Sequence, residues 1–153
     1  MARKLVHGTC VALGADAVLL RGPSGSGKSD LAFRFLALPG EGSSLPKLVA
    51  DDQLWVTASA EGELIVSAPK SIAGKIEVRG LGIVTVPFVP QARLNLVCDL
   101  VKCEDVPRLP EDPWERTEIA GVAVPLLKLS PFEPSTPLKL KMALLLASSK
   151  QFV

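Results

Sequence analysis

The chain is poor in several residues on which sites are often built. It has a single histidine, His7, and three cysteines, Cys10, Cys98 and Cys103, in 153 residues. An odd number of cysteines without paired spacing argues against a disulfide framework or a cysteine-based zinc site, and fits reduced thiols in a cytoplasmic protein. All three read as small hydrophobes of the core. Neither sign of charge is in excess, since 17 Lys+Arg stand against 16 Asp+Glu and leave a net charge of +1. No basic cluster interleaves with aromatics, so neither nucleic acid nor an anionic membrane is an expected partner. No apolar run approaches the length of a membrane span. Residues 1–4 carry charge, but the apolar segment after them is brief and interrupted by Gly8 and Gly14, which argues against a signal peptide. There is no internal repeat and no low-complexity tract.

The composition that remains is that of a folded domain. A hydrophobic fraction of 48% and a mean hydropathy of +0.33 exclude disorder. The length suits one domain over residues 1–153, large enough to bury about two thirds of its unfolded surface.

One segment stands out. Gly22-Pro23-Ser24-Gly25-Ser26-Gly27-Lys28-Ser29 is a complete G-x-x-x-x-G-K-[ST] phosphate-binding loop. A buried-strand pattern at 17–20 precedes it and an amphipathic helical pattern at 30–38 follows. Glycines let successive backbone N–H groups converge on phosphate oxygens, and the helix directs its free amides and positive dipole end at the same place. Lys28 would reach the β/γ oxygens, and Ser29 would offer its hydroxyl to a hard cation such as Mg²⁺. A triphosphate is the expected ligand.

Around the loop, the pattern predicts an α/β domain. A strand over 6–13, a turn at Gly14-Ala15-Asp16 and a strand over 17–21 form a hairpin ahead of the loop, so the sheet should be mixed rather than purely parallel. After the helix and a loop over 39–46, a buried strand at 47–50 ends on Asp51-Asp52. Strands at 54–59 and 63–67 flank a turn at Ala60-Glu61-Gly62. Residues 71–77 read as a short helix or turn, 92–101 as a strand, 106–114 as a proline-rich loop, and 118–129 as strands turning at Gly121. Pro137 opens a terminal helix at 138–149.

Asp51 and Asp52 end the strand after the loop's helix. If that strand is parallel to the loop's own strand and beside it, one carboxylate can hold Mg²⁺ or its waters and the other can accept a proton from an attacking hydroxyl. Adjacent strand residues face opposite ways, so the two should differ in role. A turn or cap pair would have the same sequence. Glu77 and Arg79 share a face if extended and could hold metal and phosphate oxygens, though a surface ion pair has the same spacing. His7 and Arg116 carry no role by spacing alone.

Taken in order, these segments resemble the catalytic domain of HPr kinase/phosphorylase. His7-Gly8 precedes the loop, Leu48-Val49-Ala50-Asp51-Asp52 is the acidic strand end, and Glu77-Val78-Arg79-Gly80-Leu81-Gly82-Ile83 looks like the family signature. The likeness spans nearly the whole chain, in the form lacking the N-terminal domain of longer members. It implies ATP-dependent phosphorylation of a serine on the phosphocarrier protein HPr, with phosphorolysis of the phosphoserine as the reverse direction. It also implies a hexamer, and a mixed, partly curled sheet like that of phosphoenolpyruvate carboxykinases. By motif position it implies Lys28 on the β/γ phosphates, Ser29 and Glu77 at Mg²⁺, Asp52 as proton acceptor with Asp51 in support, and His7 and Arg116 in the active site. The family's basic Pro-Gly-Arg-Asn-like segment before the last helix appears here as Pro134-Ser135-Thr136-Pro137, without its arginine, and Lys139 and Lys141 are the nearby cations. That helix belongs to the family's carrier-binding surface. Two other readings share the loop: a small-molecule kinase, and a catalytically silent nucleotide-binding sensor module.

Overall fold

The computed structural model describes residues 3–149, so residues 1, 2 and 150–153 of the expected domain, and the start of the charged segment 1–4, lie outside the described residues. Eleven strands and two α-helices are present among them, with three single-turn 3-10 helices between. In chain order the strands and α-helices are β1 (Arg3–His7), β2 (Thr9–Leu13), β3 (Asp16–Arg21), α1 (Lys28–Leu36), β4 (Pro46–Ala50), β5 (Gln53–Ala58), β6 (Leu64–Ser67), β7 (Lys75–Val78), β8 (Gly82–Thr85), β9 (Ala92–Leu100), β10 (Arg116–Ile119), β11 (Val122–Leu129) and α2 (Thr136–Ser148).

Nine strands form one mixed sheet with the order β1-β5-β6-β9-β3-β2-β4, to which β11 and then β10 attach beside β9. The strands β3, β9 and β11 are mutually parallel, while β2 is antiparallel to both β3 and β4. The sheet divides at β9: its first residues, Ala92 and Arg93, pair with β6, whereas Val97 to Leu100 pair with β11. This division curls the sheet. On one face, alternate residues such as Cys10, Ala12, Ala17 and Leu19 join Leu54, Val66, Leu94 and Val124 in one apolar cluster. On the other, Val11, Val18 and Leu20 pack with Leu31 and Phe35 of α1 and Leu140 and Leu144 of α2. Both faces of β2 and β3 are therefore buried, which explains why their sequences read as continuous apolar runs.

The expected strand over 6–13 is two strands. Gly8, at φ +153°, breaks it, and a Cβ there would lie 2.9 Å from the Leu20 carbonyl oxygen. The first piece pairs with β5 and the second with β3 and β4. The turn at Lys70–Ile72 leads directly into β7, so 71–77 is part turn and part strand. Cys10 and Cys98 are buried as expected, but Cys103 is exposed, because it lies in the turn just past the end of β9.

Candidate active site

The phosphate loop joins β3 to α1 and starts its helix at Lys28 itself. Gly27, at φ +96°, takes the left-handed conformation that turns the chain into the helix, and the first intrahelical bond runs from Leu31 N–H to the Gly27 carbonyl. The amides of Lys28, Ser29 and Asp30 precede that bond and point out of the helix start, the arrangement that binds anions. Lys28 Nζ lies back along the loop and donates to the carbonyls of Gly22 (2.6 Å) and Pro23 (3.0 Å). Ser26 Oγ is the one buried side-chain oxygen or nitrogen without a partner among the described residues. Free amides, a lysine and an unpartnered hydroxyl around one turn fit a polyphosphate.

Asp51 and Asp52 follow β4, but β3 lies between β9 and β2, and β4 is one strand further out, beyond β2. The expected neighbouring parallel pair is therefore bridged by an antiparallel strand, and β2 contributes to the site in its own right. Thr9, buried at the start of β2, donates through Oγ1 to Asp51 Oδ1 (3.0 Å) and accepts from the Asp52 amide (3.4 Å). Ser29 Oγ donates to the same Asp51 oxygen at 2.6 Å, and the Glu77 amide donates to Asp51 Oδ2 at 3.0 Å. Asp51 is thus a buried acceptor joining β2, α1 and β7. A hydroxyl and a carboxylate held together are hard oxygen donors and fit Mg²⁺, which takes few protein ligands and keeps waters. Glu77 has an exposed side chain next to this pair, and Arg79 is exposed beyond it.

Asp52 has the opposite environment. Its φ of +71° turns the chain sharply, with the Asp51 carbonyl accepting from Gln53 N–H, and its carboxylate is mostly exposed. The backbone break at Gly8 sets His7 opposite it: the Gly8 amide donates to the Asp52 carbonyl at 2.9 Å, and His7 Nε2 is 3.6 Å from Asp52 Oδ1. One carboxylate is held rigidly inside, and the other faces solvent beside an imidazole.

Arg116 is not brought to the loop within this chain. It opens β10, which lies beyond β11 and β9 from β3, and it lines a groove with Asp16, Arg93 and Asn95, where β3 and β9 begin. Arg116→Ala is accordingly expected to leave ATP affinity, measured by calorimetry, within about twofold. Thr9 was not singled out by the sequence, because a lone threonine in an apolar strand has no motif around it. Thr9→Val keeps the shape but removes a donor to Asp51, and should lower stability in urea unfolding by about 1 kcal/mol.

A mixed sheet whose parallel strand β3 runs into this loop, with an acidic strand end beside it, defines a P-loop nucleotide-binding domain. The model of the HPr serine kinase C-terminal domain matches residues 1–137. The chain belongs to that family. It is 39% identical over 102 residues to the HPr kinase/phosphorylase of Geobacillus thermodenitrificans, covering 62% of this chain and 31% of that protein. It is 32% identical over 137 residues to the HPr kinase/phosphorylase of Chloroherpeton thalassium, covering 80% and 37%. The chain thus spans about a third of these relatives' length. Among solved structures, the Hpr(Ser) kinase/phosphatase of Coxiella burnetii superposes with a TM-score of 0.77 at 26% identity, covering 96% of this chain and 92% of that one. The mixed sheet expected from the sequence, and the partly curled form that the family resemblance implies, agree with that likeness.

Proposed function

We propose that this domain transfers the γ-phosphoryl group of ATP to a serine of an HPr-like phosphocarrier, and that the same site supports attack of inorganic phosphate on the phosphoserine to give pyrophosphate. The observation that carries this reading is the meeting of Ser29, Asp51 and the Glu77 amide at one hydrogen-bonded point, with Asp52 and His7 alongside. Homology to kinase/phosphorylases supports the direction of the chemistry.

In this reading, the free amides of the loop and helix start, those of Lys28 and Ser29 among them, and the Lys28 ammonium bind the phosphates and take up charge as it spreads over their oxygens. Asp52 removes the proton of the serine hydroxyl as its oxygen bonds to the γ-phosphorus and the bond to the ADP oxygen breaks. Asp51 holds Ser29 in place, and His7 orients the Asp52 carboxylate. Mg²⁺ would be held by Ser29, Asp51 and Glu77, and supplies neutralisation of the phosphate oxygens when bound. In the reverse direction Asp52, then protonated, returns its proton to the departing serine oxygen.

The proposal takes residues 1–153 as one domain acting in the cytoplasm, as a hexamer by family resemblance, with neither nucleic acid nor membrane as partner. No described helix is long and apolar enough to cross a membrane. The test is to incubate the protein with radiolabelled ATP, Mg²⁺ and HPr-like carriers. Label on a carrier serine is expected. Nucleotide binding without transfer to any such carrier would sink the kinase reading in favour of the sensor module, and transfer to a small molecule instead would favour the other alternative.

A further inference from the structure

The parallel strands β3, β9 and β11 all end at the edge that carries the phosphate loop, and ligands of such sheets sit in the crevice beyond those ends. The turns after β9 and β11 border an open cavity of about 730 Å³ there. Pro23 and Ser26 of the loop form one wall of it, so it is continuous with the phosphate site. Leu100 and Cys103 come from the β9 side, and Pro131 and Phe132 from the β11 side.

Phe132 is unusual among these. The residue is 69% exposed, yet the segment that carries it is fastened on both sides. Arg34 of α1 donates to the Pro131 carbonyl and, at 3.4 Å, to the Glu133 carbonyl, while Thr136 Oγ1 donates to the Ser130 carbonyl at 2.5 Å. The ring stands against the loop: a Cβ on Gly27 would lie 3.0 Å from Phe132 Cε1. An exposed aromatic ring on a mobile segment would contribute little. A ring fixed in place beside a phosphate site offers a flat apolar face whose ordering cost has already been met.

We propose that this cavity is the base subsite of the nucleotide, with Phe132 as the surface on which the planar base stacks. The inference rests on the nucleotide reading above. Stacking of a base on an aromatic side chain is strong enough that its loss costs about tenfold in affinity or more.

The test compares ATP with inorganic tripolyphosphate, which carries the phosphates without the base, by calorimetry on the full chain. Phe132→Ala is expected to weaken ATP about tenfold or more and tripolyphosphate by less than about twofold, and Phe132→Trp to restore ATP binding. Unchanged ATP affinity in Phe132→Ala overturns the subsite, and so does equal loss of both ligands, which would make Phe132 a support of the loop. A native protein that binds neither ligand overturns the nucleotide reading itself, and the subsite with it. Alkylation gives a second readout. Cys10 and Cys98 are buried, and burial pushes the Cys98 thiol up to about 12, so iodoacetamide at neutral pH should modify Cys103. ATP should slow that modification and tripolyphosphate should not. Equal protection by both ligands, or by neither, counts against the base lying beside Cys103.

Discussion

Asp52→Asn should lower phosphoryl transfer to the carrier serine by about 10³-fold while leaving ATP affinity within about twofold. The size follows from the role: an amide of the same shape cannot take the serine proton, and a positioned general base contributes about 10²–10⁴-fold. The substitution should not disturb the fold. Asp52 sits at positive φ, a conformation that asparagine adopts as readily as aspartate, and its side chain is mostly in solvent. The bonds that hold the turn are made by its backbone, through its carbonyl to Gly8 and its amide to Thr9. Single-turnover transfer, measured beside calorimetric ATP binding, separates the two effects. Transfer within about tenfold of the native rate would remove Asp52 from the base role.

Asp51→Ala should have the opposite profile, with a large loss of stability as well as of transfer. Asp51 is 8% exposed and accepts from Thr9 Oγ1, Ser29 Oγ and the Glu77 amide. Truncation removes the acceptor of all three at once. Hydroxyls can rotate to other partners, but the backbone amide of Glu77 is fixed in β7, and leaving a donor of a part-buried bond unsatisfied is costly. A loss of about 3 kcal/mol is expected, read as a lower urea midpoint at unchanged slope. Because Ser29 also loses its anchor, ATP affinity should fall more in the presence of Mg²⁺ than in its absence. A stability loss of less than about 1 kcal/mol would show that the three donors find other partners.

These two residues also show how much of the site can be read without coordinates. The phosphate loop was legible because its function uses consecutive residues: the backbone must converge on one ligand, so the chemistry is written in eight adjacent positions. Asp51 and Asp52 were legible as carboxylates ending a strand, and the Glu77 segment by family likeness. Their division into a buried acceptor and an exposed carboxylate was not, because it depends on a positive φ at Asp52 and on what stands opposite each side chain. Thr9 was invisible for the same reason, since its partner is 42 positions away. Arg116 carried an expectation by motif order that the strand order does not support within one chain, because motif order says nothing about which strands lie between.

By itself, then, the sequence determined that this is an α/β domain with a phosphate loop between a buried strand and a helix, for local periodicity and contiguous motifs are short-range properties of the chain. Only the tertiary structure decided that Gly8 splits the first strand, that β2 rather than β4 lies beside β3, that Thr9 and the Glu77 amide converge on Asp51, and that Phe132 stands fixed beside the loop. Each of these depends on contacts between residues far apart in sequence, and those contacts exist only once the sheet has curled and both of its faces are packed.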